Sequence, residues 1–245
     1  MKLIGTGWKS PSLIDVHNKV TFTLWLCGCN LKCPFCHNWK IAEKIGCGEL
    51  DINRLLDELD SASLLIDYLH VTGGEPLLQW EPLLELFKTS YENYNVENSL
   101  NTNFTLTIPL KKHLDSGYVH HVATDLKVPP NEMYGVENWK ALWESYLKSL
   151  SLMKEYDIPL ELRIPVSRFP WEEKKPYIDQ ALKALGDANF YVIINPLLNY
   201  PVVNPRNKEW CDKHCSPQKE ELNIIKDYLE SQGIKVYLKG HSELI

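Results

Sequence analysis

An α/β fold built on a parallel sheet is what this sequence predicts, and three observations predict it. Apolar segments rich in β-branched and aromatic residues alternate with helix-length segments from about residue 20 to residue 195, the pattern of strands joined by crossover helices. Some of those apolar segments are nearly continuous, as in strands covered on both faces. The residues able to do chemistry, at 29–36, 72–76, 101–103 and 125–127, fall at the C-terminal ends of successive predicted strands, where parallel α/β sheets place their sites. About six to seven strand–helix units can be counted, too few for a closed eight-stranded barrel.

The bulk composition narrows the class. Of 245 residues, 44% are hydrophobic and 24% charged, enough for a single core domain over 1–245, with its centre at about 18–200 and a last helix and strand within 200–245. A formal net charge of −6 gives no long-range attraction to nucleic acid. No apolar run approaches a membrane span, and residues 1–5 have no signal-peptide character. These features predict a cytoplasmic protein with no membrane partner, and the acidic balance argues against nucleic acid without excluding a local basic patch. Seven cysteines fit metal or redox use better than a disulfide framework.

Residues 1–18, with two glycines and a proline, read as an irregular lead-in, with Trp8, Leu13 and Ile14 as cover for the core. Residues 20–26 form the first strand. It runs into a loop, 27–38, that carries Cys29, Cys33 and Cys36 in a C-x3-C-x2-C pattern. Three thiolates on one tight loop suit an iron–sulfur cluster, whereas zinc sites favour paired cysteine groups. On a four-iron cubane, three thiolates leave one iron open for chemistry. Cys27, Cys47, Cys211 and Cys215 read as buried or loop thiols, the alternative being an auxiliary cluster or zinc ion.

Residues 41–49 connect to a helix over 51–59 that Asp51 caps. A buried strand over 64–71 follows, ending in Thr72-Gly73-Gly74-Glu75-Pro76. Two glycines after a strand let the backbone approach a ligand closely, with Glu75 as a fixed acceptor. A helix over 79–94 presents Trp80, Leu83, Leu84 and Phe87 on one face. The next strand, 96–103, ends in Asn101-Thr102-Asn103, where Asn103 can both donate and accept. After a short helix at 108–116, the strand 120–127 ends with Asp125 and Lys127 on one face; a surface ion pair is the other reading. His120 and His121 lie at that strand's start and read as structural. A long helix covers 136–156, and the strand 160–166 points Arg163 and Pro165 the same way. A helix at 171–185 precedes the strand 190–195, which ends at Asn195. Residues 200–217 form a Pro- and Asn-rich insertion, expected as an exposed docking surface. A last helix reaches about Gln232, and a final strand spans 234–238.

The cysteine triple, with Phe35 just before the last thiol, resembles the cluster motif of the radical S-adenosylmethionine (SAM) superfamily. Residues 12–15, 19–20, 28–30 and 33–38, including His37-Asn38, resemble the glycyl-radical-enzyme activases of the anaerobic ribonucleotide reductase type. The resemblance implies a partial (β/α)6 barrel whose parallel sheet is open on one side, so that a loop of a partner enzyme can enter. It implies a [4Fe–4S] cluster on Cys29, Cys33 and Cys36, and SAM on the open iron. An electron donor such as ferredoxin or flavodoxin would drive cleavage of SAM to a 5′-deoxyadenosyl radical. That radical would abstract hydrogen from a glycine of a glycyl radical enzyme. Gly73, Gly74 and Glu75 match the segment that binds the SAM amino group. Phe35, Thr102, Asn103, Asp125, Lys127, Arg163 and Asn195 are the implied contacts for the rest of SAM. The chain departs from the pattern at Asn101, where relatives have Asp, and at Phe104, where they have Gly, which predicts a differently shaped loop. Leu197 and Leu198 follow Asn195 where some relatives have a polar residue. Two other readings stay open: a radical SAM enzyme acting on a small molecule, peptide or tRNA, and a non-catalytic iron–sulfur electron-transfer module.

Overall fold

The computed structural model describes residues 1–239; the expected C-terminal segment 200–245 therefore ends outside the described residues, at 240–245. The chain divides into two compact units, residues 1–30 with 38–123, and residues 31–37 with 124 onward.

The first unit holds strands β1 (Ile4–Ser12), β2 (Thr21–Leu26), β3 (Gly48–Glu49), β4 (Tyr68–Gly73), β5 (Glu97–Asn101) and the start of β6 (His121–Asp125). Its helices are α1 (Trp39–Ala42), α2 (Ile52–Ala62), α3 (Trp80–Tyr94) and α4 (Thr107–Asp115). The strand order is β3-β1-β2-β4-β5-β6. β2, β4, β5 and β6 run parallel, and β1 is antiparallel to β2 and β3. One face of these strands carries Phe22, Leu24, Leu26, Leu69, Val71, Leu100 and Val122, all buried. Asn98 shares that face and donates to the Phe87 carbonyl of α3, so this is the face the helices cover. The other face is polar: Ser99 Oγ bridges His70 Nδ1 and His121 Nδ1, each at 2.8 Å. His121 thus has the structural place the sequence predicted.

The second unit holds the end of β6 with β7 (Leu160–Val166), β8 (Phe190–Pro196) and β9 (Val236–Leu238). β7, β8 and β9 are parallel neighbours in that order. Its helices are α5 (Pro130–Met133), α6 (Trp139–Leu152), α7 (Trp171–Leu185), α8 (Lys208–His214) and α9 (Lys219–Ser231). Trp143, Tyr146 and Leu150 of α6 are buried, and Gln218 with Glu221 forms a capping box at the start of α9. In both units the sheet is mostly parallel, and hydrogen bonds close neither of them. The predicted parallel α/β class, with β2 and β4 to β8 as its strands, is what the chain adopts.

Several elements differ from the sequence reading. The lead-in is a strand, β1, broken by register shifts between Gly5 and Gly7 and between Lys9 and Ser12. Edge regions tolerate glycine, proline and bulges that would interrupt a central strand. Leu13 and Ile14 are 72% and 70% exposed rather than buried over the core. Leu64 and Leu65 sit in a 3-10 turn at 98% and 73% exposure, and β4 starts only at Tyr68; a short apolar run does not by itself distinguish strand from turn. The 200–217 insertion contains α8, with Cys211 fully buried.

The four outlying cysteines are not free thiols. Cys27 pairs with Cys47, and Cys211 with Cys215, at Cα separations of 6.4 and 4.7 Å. Pairing depends on that Cα approach, which a sequence does not display.

Candidate cluster and cofactor site

In the first unit, the backbone of β4 runs directly against the chain that enters Cys29. Gly74 N donates to the Leu26 carbonyl at 2.9 Å, and Glu75 N to the Gly28 carbonyl at 2.7 Å. A Cβ on Gly73 would lie 2.2 Å from the Leu26 oxygen, and one on Gly74 would lie 2.0 Å from the Gly28 oxygen. Gly73 also has φ +122°, a conformation side chains resist. The close approach that requires both glycines is therefore to backbone, at the start of the cysteine loop.

Glu75 is fully buried. Its Oε1 accepts from Leu77 N at 3.0 Å and from Thr102 Oγ1 at 2.7 Å, and its Oε2 accepts from Asn103 N at 2.7 Å. A buried carboxylate needs such donors, and here they tie the end of β4 to the end of β5. Asn103 carries the chain of contacts onward. Its Nδ2 donates to Asn30 Oδ1 at 2.8 Å and approaches Cys29 Sγ at 3.9 Å. Its Oδ1 accepts from Thr105 N and Thr105 Oγ1, and Asn30 Nδ2 donates to Thr105 Oγ1 at 2.7 Å. The Cys29 sulfur thus borders a fixed amide donor.

Asn101 donates from Nδ2 to Thr72 Oγ1 at 2.8 Å, so the residue that replaces the family's Asp is a neutral cross-strand link. Phe104 adopts φ +61° with its ring fully buried. The loop does not abandon the left-handed conformation that glycine favours; Phe takes it instead. The strain of about 1–2 kcal/mol is offset by burial of the ring, about 1.5–3 kcal/mol.

In the second unit, the loop carrying Cys33, Phe35 and Cys36 is held by main-chain contacts. Lys32 N donates to the Tyr134 carbonyl at 3.0 Å, and Cys36 N to the Cys33 carbonyl at 3.2 Å. A Cβ on Gly135 would stand 2.1 Å from the Lys32 oxygen. Cys33 is buried and Cys36 half-buried. His37 is held below the usual imidazole value by burial, which the Asp125 charge only partly opposes.

At the end of β6, Lys127 Nζ meets Asp125 Oδ2 at 3.0 Å, a pair with Lys127 nearly buried rather than on the surface. Burial alone would raise the Asp125 carboxyl, but the Lys127 and Arg163 charges hold it below its ordinary value. Arg163 Nε donates to Glu161 Oε1 at 2.5 Å, and Tyr191 Oη to Glu161 Oε2 at 2.9 Å. Asn195 Oδ1 is buried and has no hydrogen-bond partner among the described residues.

The structure therefore gathers Cys29, Gly73, Gly74, Glu75, Thr102 and Asn103 in the first unit. It places Cys33, Phe35, Cys36, Asp125, Lys127, Arg163 and Asn195 in the second. Sequence reasoning missed Asn30, Thr105, Glu161, Tyr191 and Trp210. Asn30 adjoins the first thiol and Glu161 lies two residues before Arg163 on one strand face, so both could have been found. Among the described residues no three His, Cys, Asp or Glu side chains gather on one point.

The chain matches the radical SAM superfamily over residues 24–194, from β2 into β8. It belongs to that superfamily. The protein is therefore a radical SAM enzyme, a class that uses SAM with a [4Fe–4S] cluster. It is 25% identical over 197 residues to a Methanocaldococcus jannaschii protein provisionally named as a glycyl-radical enzyme activating enzyme, covering 79% of this chain and 80% of that one. It is 36% identical over 107 residues to 7-carboxy-7-deazaguanine synthase of Hyperthermus butylicus, covering 42% of this chain and 43% of the synthase. The fold is similar to that of Streptococcus suis SuiB bound to S-adenosylmethionine, with TM-score 0.58 and 14% identity. That match covers 87% of this chain and 48% of SuiB, so the chain spans about half the length of the solved protein.

Proposed function

We propose that this radical SAM enzyme is an activase: it abstracts hydrogen from a glycine of a partner enzyme. Cys29, Cys33 and Cys36 hold its cluster. The 25% identity to the protein provisionally named as a glycyl-radical enzyme activating enzyme supports the activase part of the reading, and the cysteine inventory supports its cluster. Of the seven cysteines, four are paired in disulfides, and the three left as thiols are those of C-x3-C-x2-C. The donors therefore fit a cluster that takes three thiolates and keeps one iron open.

A cluster held by Cys29, Cys33 and Cys36 would supply the electron for reductive cleavage of SAM, the chemistry from which hydrogen abstraction would follow. Gly73 and Gly74 fix the start of the cysteine loop, and their backbone would hold the SAM amino group. Glu75 and Thr102 hold that backbone in place from within. Asn103 directs its amide at the Cys29 sulfur and borders SAM. Arg163, oriented by Glu161, suits the SAM carboxylate. The Asp125–Lys127 pair and Asn195, with its unsatisfied Oδ1, serve the adenosine. Phe35 shapes the loop beside the last thiol.

Ferredoxin or flavodoxin is the proposed donor and the cytoplasm the proposed compartment. Among the described residues no helix is long and apolar enough to cross a membrane. The two disulfides are uncommon in most intracellular proteins, so thiol counting in freshly lysed anaerobic cells tests the compartment.

A second reading, radical SAM chemistry on a small molecule, is favoured by the 36% identity to the deazaguanine synthase. The test is electron paramagnetic resonance on the reduced protein mixed with SAM and the host's glycyl radical enzyme. A glycyl doublet supports the activase. SAM turnover without a protein radical, but with a modified metabolite, moves the assignment to the second reading.

A further inference from the structure

The second unit contains a brace that the function above does not use. The Pro34 and Cys36 carbonyls, on a loop without secondary structure, need donors. Both donors come from one place: Arg206 N reaches the Cys36 carbonyl at 3.0 Å, and Asn207 N the Pro34 carbonyl at 2.9 Å. Asn207 is also the N-cap of α8, its side chain accepting from Trp210 N at 2.9 Å. The residue that ties down the loop thus also sets where α8 begins.

From α8, Trp210 lays its ring 6.0 Å from that of Phe35 and 6.0 Å from that of Phe169. Phe35 and Trp210 pack on a small apolar cluster of Met133, Leu197, Cys211 and Cys215. The far end of α8 is anchored as well. His214 O accepts from Arg168 N at 2.9 Å, and Ser216 N donates to Leu197 O at 2.7 Å, which fastens α8 to the chain leaving β7 and β8. The Cys211–Cys215 disulfide closes the last turn.

We propose that residues 206–215 are a positioning element for the Cys33–Cys36 end of the metal loop, with Trp210 as its principal side chain. The inference rests on the cluster reading for its purpose, though not for its geometry. The element fixes the two thiols before the cluster arrives and slows escape of the iron afterwards. Within the Pro- and Asn-rich segment, Cys211 and Cys215 face inward while Tyr200 and Val202 remain exposed. Trp210 Nε1 is buried without a hydrogen-bond partner among the described residues, so the ring, not the N–H, makes the contact.

The test is native-state amide hydrogen exchange on the full chain without cluster, over a range of low denaturant. The account expects residues 31–37 and 206–215 to lose protection together. Trp210→Ala should accelerate exchange at both by about tenfold or more while leaving β2 unchanged, and Trp210→Phe should behave as wild type. On the reconstituted protein, Trp210→Ala should release iron to a chelator faster, by a similar factor. The loop opening in wild type while 206–215 stays protected would overturn the proposal, and this holds even if Trp210→Ala does not fold. So would wild-type exchange and iron release in a folded Trp210→Ala. Absence of iron from reconstituted wild type would instead count against the cluster reading and leave the exchange result standing.

Discussion

The Cys29 end of the cysteine loop and its Cys33–Cys36 end are secured by different physics. Around Cys29 the contacts are polar: a buried carboxylate, the amides of Asn30 and Asn103 with the hydroxyls of Thr102 and Thr105, and backbone pressed on backbone through two glycines. Around Cys33 and Cys36 the polar contacts are main-chain, and the side-chain packing is aromatic and apolar, with Phe35 against Trp210 over a disulfide. A polar surround places a hydrogen-bond donor on sulfur and so tunes its charge. An apolar surround fixes position and excludes water without touching the charge. Substitutions at the first end should therefore alter the electronics of the cluster, and those at the second its retention.

The largest expected effect is at Gly74. Gly74→Val drives a branched side chain into the Gly28 carbonyl, 2.0 Å from the position of its Cβ. It should cost more than about 4 kcal/mol, read as loss of the urea transition or of all iron binding. A folded Gly74→Val protein with full iron would remove the backbone contact from the account.

Asn103→Leu comes next. It deletes the donor near Cys29 Sγ and strands the partners on Asn30 and Thr105. Stability should fall by about 1–3 kcal/mol. The cluster's reduction potential should also become more negative, because a hydrogen bond to sulfur favours the reduced form. An unchanged potential in protein film voltammetry would erase the difference between the two ends.

Phe104→Gly separates strain from burial. It relieves a left-handed Phe at φ +61° but empties a fully buried site. The account expects a net loss of about 1–2 kcal/mol in chemical denaturation. A gain would mean that the ring contributes little.

The smallest effect concerns acid. The Asp125 carboxyl is held below its ordinary value of 3.8. A group with a depressed folded value stabilises above its unfolded value and loses that contribution as pH falls through the folded one. Asp125→Asn should therefore flatten the stability profile below about pH 4 and lower stability slightly at pH 7. An identical acid limb in both proteins would mean that Lys127 and Arg163 do not hold the carboxylate.

The first end was largely legible in the sequence, because its contacts are short-range consequences of motifs. Cys29, Gly73-Gly74-Glu75 and Asn103 announce themselves by residue type at strand ends, and a parallel sheet brings neighbouring strand ends together. The physical reason for the glycines was not legible. Nothing in Gly-Gly distinguishes approach to a ligand from approach to the Gly28 carbonyl. The second end was hidden, because Trp210 lies 175 residues beyond Phe35 in the chain and no motif marks it. The disulfides were hidden for the same reason. Cys211 and Cys215 show helical spacing only once α8 is known, and Cys27 meets Cys47 through a turn with no regular pattern. β1 escaped notice because a strand next to the sheet edge, paired on its outer side with β3 only at Ile4 and Gly5, admits the glycines and proline that argue against strand.

The central claim is that three thiols, and only those three, hold one cluster. Iron and acid-labile sulfide per chain, counted after anaerobic reconstitution with a parallel low-temperature spectrum, test it most directly. The account predicts about four irons per chain and a signal that changes when SAM is added. It predicts near-zero iron in Cys29→Ala, Cys33→Ala and Cys36→Ala, and undiminished stoichiometry in a folded Cys27→Ala/Cys47→Ala protein. Full iron in any of the first three variants, or half the iron in the last, would contradict it.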